Sequence, residues 1–73
     1  MDFKTRLREA RKSRSLTQVE VASHINLKER QYQNLEAGTS KSSFDSLIAL
    51  ADYFNVSLDY LVGRSDDPER RKN

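Results

Sequence analysis

The chain has 73 residues, which is enough for one small domain with a modest apolar core. It contains no cysteine and one histidine, which excludes a disulfide framework, a thiolate metal site, a cysteine nucleophile and a multi-histidine metal site. Its N-terminus lacks the apolar run of a signal peptide, and no segment reaches the length of about 18 apolar residues that spans a bilayer. We therefore expect a cytoplasmic chain that binds no cofactor or metal and contacts no membrane.

The N-terminal segment is predicted to form a basic helix. The net charge of the whole chain is only +2, but residues 1–14 hold six basic side chains against two acidic ones. The six are Lys4, Arg6, Arg8, Arg11, Lys12 and Arg14. A basic helix either contacts an anionic partner, such as the phosphates of a nucleic acid, or is an ordinary solvated surface. Both interpretations stay open for Arg6, Arg8, Lys12 and Arg14.

A second helix is expected to begin after Thr17. The spacing of Thr17 and Glu20 predicts a capping box, in which each side chain accepts a hydrogen bond from the other residue's backbone N–H. The inward apolar stripe of this helix consists of Val21, Ala22 and Ile25. The helix ends at Asn26, because asparagine tolerates the left-handed conformation that turns the chain sharply and lets Leu27 reach the core.

A third helix is expected from Lys28 to Ala37, with Gly38 as its C-terminal stop. Tyr32 and Leu35 form its inward side. The other side chains point outward, namely Glu29, Arg30, Gln31, Gln33 and Asn34. Two short helices joined by a tight turn, the second with a polar outward face, are typical of small proteins that read DNA.

A polar loop, Thr39–Ser43, leads into a fourth helix from about Phe44 to Phe54, which Ser42 or Ser43 caps. We expect the whole apolar surface of this helix to pack in the core. That surface comprises Phe44, Leu47, Ile48, Leu50, Ala51 and Phe54.

The last predicted helix is short. Asn55 is expected to end the fourth helix, and Ser57 to cap a fifth from Leu58 to Val62, which Gly63 ends. The charged segment 64–73 has no apolar residue except its proline, so we expect it to be flexible. No ligand-sensing or protease-like domain is expected in this polypeptide.

Several short motifs between Phe3 and Gly63 occur together in one order and spacing. They are Arg11, Leu16-Thr17-Gln18, Val21-Ala22, Ile25-Asn26-Leu27, Leu35-Glu36-Ala37-Gly38, Leu47, Leu50-Ala51 and Val56 to Gly63. In these motifs the chain resembles the Cro/C1-type, or xenobiotic-response-element, helix-turn-helix family of phage and bacterial regulators. The resemblance implies an all-α, compact five-helix DNA-binding domain at 1–63, with the helix-turn-helix at about 17–37.

The resemblance also implies a regulator that binds double-stranded DNA sequence-specifically, and we expect a repressor. One such domain touches few base pairs, whereas operator affinities generally require two half-sites, so we predict a homodimer on a pseudo-palindrome. In the family, dimers often form through the last helix, where the candidates are Val56, Tyr60 and Leu61. The family also pairs the arginine at Arg11 with the glutamate at Glu36 in a structural salt bridge.

The docking geometry of the motif places the third helix in the major groove. The candidates for base contact are Glu29, Arg30, Gln31, Gln33 and Asn34. Arg30 suits guanine, and Gln33 or Asn34 suits adenine, whereas Glu29 either accepts from cytosine or favours the helix N-terminus by its charge. The candidates for phosphate contact are Gln18, Lys28, Thr39 and Lys41.

Four residues depart from the family pattern. Asn26 and Ser15 stand where the family usually has glycine, which costs some backbone strain. Lys28 stands where a serine or threonine normally caps the third helix. Val19 is apolar where relatives are mostly polar, and it is either an isolated exposed valine or a contact to a thymine methyl or a partner chain.

Other functions remain open at this point. The same fold serves antitoxins and restriction–modification controller proteins, and a toxin or antirepressor is a possible protein partner. A protein-interaction module that has lost sequence-specific DNA binding is a further alternative. An enzyme is not expected, because no nucleophile, base and orienting group are suitably spaced, and the single His24 is most simply a solvated helix residue.

Overall fold

The computed structural model describes residues 1–70 and consists of five helices joined by short loops. The helices are α1 (Phe3–Lys12), α2 (Gln18–His24), α3 (Glu29–Ala37), α4 (Phe44–Phe54) and α5 (Leu58–Leu61). No strand occurs within the described residues. The predicted all-α, five-helix fold is therefore confirmed, with α5 one residue shorter than expected. None of these helices has the length and apolar character that crossing a membrane requires.

Side-chain caps fix where the helices begin. The Thr17–Glu20 capping box is present, with the Glu20 N–H 3.1 Å from Thr17 Oγ1 and the Thr17 N–H 2.9 Å from Glu20 Oε1. Ser43, rather than Ser42, caps α4 by accepting from the backbone N–H of Ser46 at 3.1 Å. Such a cap is worth about 1 kcal/mol, which matters in a domain this small.

Left-handed residues end several helices and turns. Asn26 has φ 62° between α2 and α3, and Asn55 has φ 55° at the end of α4, as predicted. Ser15 also adopts a positive φ, 56°, in the turn between α1 and α2. Since an L-residue other than glycine or asparagine pays roughly 1–2 kcal/mol there, Ser15 is a strained position.

All five helices contribute to one core. Its fully buried members include Leu7, Val21, Tyr32, Leu50 and Leu61. The prediction that the whole apolar surface of α4 is buried is wrong at two positions, because Phe44 is 67% exposed and Ile48 is 38% exposed. Phe44 is the first residue of α4 and therefore lies at the end of the helix, whereas Ile48 lies about 160° around the helix from the fully buried Leu50 and faces away from it.

The described part of the charged tail, residues 64–70, folds back onto the domain. The carbonyl of Pro68 accepts from the Ser57 N–H at 3.0 Å, and Arg70 Nη2 lies 2.6 Å from Asp52 Oδ1. The expectation of a flexible tail also covers residues 71–73, which lie outside the described residues. The described portion instead covers part of α5.

Candidate nucleic-acid interface

α2 and α3 form a compact helix-turn-helix. The turn is closed by a hydrogen bond from the Leu27 N–H to the Ala22 carbonyl at 2.8 Å, and the left-handed Asn26 lies within it. Val21 and Ala22 on α2 are buried, and so is Tyr32 on α3. This packing fixes the direction of α3 relative to the rest of the domain.

The N-terminus of α3 is capped by a residue inside the helix. Lys28 is the N-cap residue and makes no capping hydrogen bond with its side chain, but its backbone N–H donates to Gln31 Oε1 at 2.9 Å. This chain lacks the serine or threonine that the family usually has at this position, and only the half of the capping box that satisfies the N–H of Lys28 itself is formed. Gln31, predicted to contact bases, therefore has its amide oxygen engaged within the protein. The signal was already in the sequence, because glutamine occurs at the third helical position.

The outward side of α3 is polar and exposed. Glu29, Arg30, Gln33 and Asn34 are all exposed, as their predicted role in base contact requires. Gln33 Nε2 donates to Glu29 Oε2 at 3.1 Å, a pairing one helical turn apart. This bond leaves the second N–H and the amide oxygen of Gln33 available to a ligand.

A buried ion pair anchors the far end of α3 to α1. Arg11 Nε lies 2.7 Å from Glu36 Oε2, and Arg11 Nη2 lies 3.0 Å from Glu36 Oε1, so the contact is bidentate. Gln18 Nε2 adds a third bond to Glu36 Oε1 at 3.2 Å. Burial raises the pKa of Glu36, but the hydrogen bonds from Arg11 and Gln18 outweigh it, and the pKa lies below its ordinary value.

The four candidates for phosphate contact are differently placed. Gln18 is half-buried and bonded to Glu36, whereas Lys28, Thr39 and Lys41 are exposed. Thr39 Oγ1 donates to the Asn34 carbonyl at 3.4 Å, just beyond the end of α3. Three of the candidates therefore lie on the surface at or near the two ends of α3.

Besides Arg11, three basic residues of the N-terminal segment make contacts within the chain. Arg6 is only 4% exposed, lies 3.9 Å above the Tyr60 ring and bonds Asp66 Oδ1 at 3.2 Å. Arg14 donates to the Phe54 carbonyl at 2.6 Å, and Arg8 donates to the Glu36 carbonyl at 3.3 Å. The structure thus favours a structural role for Arg6 and Arg14, which the sequence had left open.

Two predicted dimer residues need correction. Val56 is 4% exposed and Leu61 is fully buried, so both side chains pack in the core of their own chain and offer no surface to a second copy. Tyr60 is half-buried, and the nearly buried guanidinium of Arg6 packs against its ring. His24 was predicted to be a solvated helix residue. In the structure its ring also stacks on the ring of Tyr53, with centroids 4.0 Å apart.

Two further observations bear on the kind of site. Within residues 1–70 no group of three or more histidine, aspartate or glutamate side chains is arranged to hold a metal ion. Val19 is 52% exposed on α2.

Comparisons with known proteins agree with this geometry. The chain is 39% identical over 71 residues to the uncharacterized HTH-type transcriptional regulator YobD of Bacillus subtilis, covering 93% of this chain and 63% of that protein. It is 33% identical over 64 residues to the cryptic phage CTXphi transcriptional repressor RstR of Vibrio cholerae, covering 88% of this chain and 57% of that protein. The chain thus spans less than two thirds of the length of these relatives.

A solved structure extends the likeness to three dimensions. The crystal structure of a transcriptional regulator from Listeria innocua superposes with a TM-score of 0.83 at 29% identity, covering 99% of this chain and 64% of that one. The family model HTH_3, described as helix-turn-helix, matches residues 7–61, which is more than half of the chain and includes α2 and α3. This chain belongs to the HTH_3 helix-turn-helix family.

Proposed function

We propose that this chain is a sequence-specific DNA-binding domain of a transcriptional repressor, with α3 lying in the major groove. The observation that carries the proposal is the exposed polar side of α3, where Glu29, Arg30, Gln33 and Asn34 lie on a helix fixed by packing and a buried ion pair. A rigid helix with such side chains is the usual means of direct readout in the major groove. The names of YobD and RstR agree with a regulatory role.

Base contacts are assigned to the exposed side chains of α3 according to which of their hydrogen-bonding groups are not already bonded within the protein. The Arg30 guanidinium suits the O6 and N7 acceptors of guanine, and Asn34 or Gln33 suits adenine, each good pair being worth about 1–3 kcal/mol of discrimination. Glu29 holds one N–H of Gln33 at 3.1 Å and thereby orients its amide. Gln31 is assigned to the cap of α3, which uses its amide oxygen. Only its amide N–H groups are then available for a contact with DNA.

Phosphate contacts are assigned to the groups around the ends of α3. Lys28, Thr39 and Lys41 are exposed there, and Gln18 lies at the start of α2. Such contacts set the register of the protein on the duplex and carry no sequence information. Because few cations are involved, a single copy binds DNA weakly, and we infer that two copies bind a pseudo-palindromic operator in the cytoplasm.

The test is the selection of bound duplexes from a random-sequence library at physiological salt. We expect a palindrome whose half-site centres are about 10–10.5 base pairs apart. The paired control is the variant Arg30→Ala with Gln33→Ala, which should fold normally and lose the enriched sequence. If the folded wild-type chain enriches no sequence, or if the variant enriches the same one, the placement of α3 in the groove is wrong.

A further inference from the structure

A cavity of about 460 Å³ lies where the start of α1 meets the end of α3, the loop that follows it, α4 and the end of α5. It is called the α1–α3 cavity below. Its apolar lining consists of Phe3, Leu35, Leu47 and Val62. Leu35 is buried and the other three are half-buried, so part of their apolar surface borders the cavity. The volume falls within the range of about 300–1,000 Å³ that is typical of small-molecule sites.

Two lysines also line the α1–α3 cavity. Lys4 lies on α1 and Lys41 in the loop after α3, and both are exposed. Within residues 1–70 neither ammonium group forms an ion pair. The one carboxylate in the lining, that of Asp2, caps α1 by accepting from the Thr5 N–H at 3.0 Å. Two cations and one anion leave the lining with a net charge of +1.

These groups together fit a small organic anion. Burial against the four apolar side chains stabilises an apolar body by removing it from water. An ammonium group is a compact charge with three donors, which suits a carboxylate oxygen. An inorganic anion would leave the apolar lining unused, and a neutral apolar molecule would leave both lysines unused. The chemistry of the cavity therefore favours a carboxylic acid with an aromatic or aliphatic body.

Lys4 connects the α1–α3 cavity to the end of α3. Its side chain crosses so close to Gly38 that a Cβ atom on Gly38 would lie 2.7 Å from Lys4 Cδ. Gly38 ends α3 with φ 79°, a left-handed conformation that glycine adopts without strain. The wall of the cavity therefore includes the residue at which α3 stops.

Residues 40–42 line a second cavity as well as the first. The second cavity, of about 360 Å³, is also lined by Gln31 and Asn34 from the proposed DNA-binding side of α3. Lys41 therefore borders both the α1–α3 cavity and the surface proposed to meet DNA. A carboxylate bound in the α1–α3 cavity would compete with a DNA phosphate for the ammonium group of Lys41.

We propose that the α1–α3 cavity binds a small carboxylic acid with an aromatic or aliphatic body, and that this ligand weakens DNA binding by engaging Lys41. The body packs against Phe3, Leu47 and Val62, and the carboxylate accepts from Lys4 and Lys41. The effect on DNA rests on the proposed function, whereas ligand binding itself does not. Because coupling between two sites is reciprocal, DNA lowers the affinity for the ligand by the same factor.

The first test measures ligand binding to the chain without DNA. Phenylpropionate is titrated against its neutral amide, phenylpropionamide, and against acetate, which lacks the apolar body. The NMR signals of Phe3, Leu47 and Val62 should shift saturably with phenylpropionate and should show no saturable shift with acetate. The amide should bind roughly 4–25-fold more weakly, because it loses two exposed ion pairs that are each worth roughly two- to fivefold.

A lysine variant separates the charge of Lys4 from its packing. Lys4→Gln should weaken phenylpropionate binding roughly two- to fivefold and bind the amide as tightly as the wild-type chain does. The matched control is Lys12→Gln, which makes the same change at an exposed lysine of α1 outside the cavity. This control should bind both compounds as the wild-type chain does. A lysine that served only packing would affect the acid and the amide equally.

The second test measures DNA binding by fluorescence anisotropy on the selected duplex. Saturating phenylpropionate should raise the Kd about fivefold or more and reduce the slope of log K against log salt by about 0.9, with acetate at the same concentration as the control for ionic strength. Lys41→Ala should have the reduced slope already, and phenylpropionate should not change it further.

The two halves of the proposal fail in different ways. Absence of a saturable shift with phenylpropionate, equal affinity for the amide, or unchanged discrimination between acid and amide in Lys4→Gln would overturn the binding site. An unchanged Kd for DNA in the saturated chain would overturn the effect on DNA binding. Failure of the ligand-free chain to enrich any DNA sequence would instead contradict the proposed function, and the titrations without DNA would still decide whether the cavity binds the acid.

Discussion

Replacing Glu36 by glutamine tests whether the buried ion pair holds α3 in place. Glu36 is 3% exposed, and the side chain of Arg11 is 12% exposed, with N–O distances of 2.7 and 3.0 Å. Glu36→Gln keeps the shape and an acceptor for Gln18, but it leaves the arginine charge without its partner. Breaking a buried pair in this way costs about 3–5 kcal/mol. Domains of this size typically have only about 3–5 kcal/mol of net stability, so the variant should be largely unfolded at 25 °C.

The measurement is urea and thermal denaturation followed by circular dichroism. The matched control is Asp52→Asn, which makes the same acid-to-amide change in the Arg70–Asp52 pair. That pair is shorter, at 2.6 Å, but its side chains are 43% and 58% exposed, so its loss should cost at most about 1 kcal/mol. If Glu36→Gln costs no more than Asp52→Asn, burial does not decide the strength of these pairs, and the anchoring role of Glu36 is refuted.

The same pair predicts a pH dependence. The folded-state pKa of Glu36 lies below its ordinary value, so the unfolded chain binds the proton more tightly than the folded one does. This contribution to stability is therefore fully present above the unfolded-state pKa of about 4.3 and is lost as the pH falls through the lower folded-state pKa. The Glu36→Gln chain, studied in stabilising osmolyte, should lack this part of the acid transition. An acid transition identical to that of the wild-type chain would contradict the assignment.

Three smaller predictions follow from individual contacts. Gln31→Ala removes the cap of α3 and should lower the free energy of unfolding by about 1 kcal/mol in urea titration, and an unchanged midpoint would contradict the capping role. Ser15→Gly relieves a positive φ and should raise stability by roughly 0.5–1 kcal/mol, whereas the control Ser13→Gly, at φ −65°, should lower it. Arg30→Ala should relax selectivity at one base pair. Lys41→Ala should instead weaken binding to all sequences and reduce the slope of log K against log salt by about 0.9. Fluorescence anisotropy with operator and mismatched duplexes would separate the two effects.

The helix boundaries could be predicted because they depend on local interactions. The Thr17–Glu20 box, the Ser57 cap and the left-handed Asn26 act within a few residues, so the sequence alone indicates them. The exposure of Phe44 could not be predicted in this way, because helical periodicity identifies an apolar surface and not the part of it that neighbouring helices cover. Burial of that kind depends on contacts between distant segments.

The roles of the charged side chains were equally hard to predict, because they too depend on contacts between distant segments. The sequence could not tell whether Arg6 and Arg14 contact a ligand or their own chain, because Arg6 bonds Asp66, 60 residues away, and Arg14 bonds the Phe54 carbonyl, 40 residues away. The capping role of Gln31 was different, since Lys28 and Gln31 are only three residues apart. A search for glutamine at the third helical position would have found it from the sequence.

The internal use of arginine explains why a single copy of this chain is expected to be a weak DNA binder. Arg6, Arg11 and Arg14 all bond groups of their own chain, so the basic N-terminal segment contributes less to phosphate contact than its composition suggests. Each phosphate contact that is not made removes close to one unit from the salt dependence of binding and the affinity that accompanies it. These arginines instead hold α1 and α3 in place, which favours selectivity, and under the proposed function a second half-site supplies the affinity that one copy lacks.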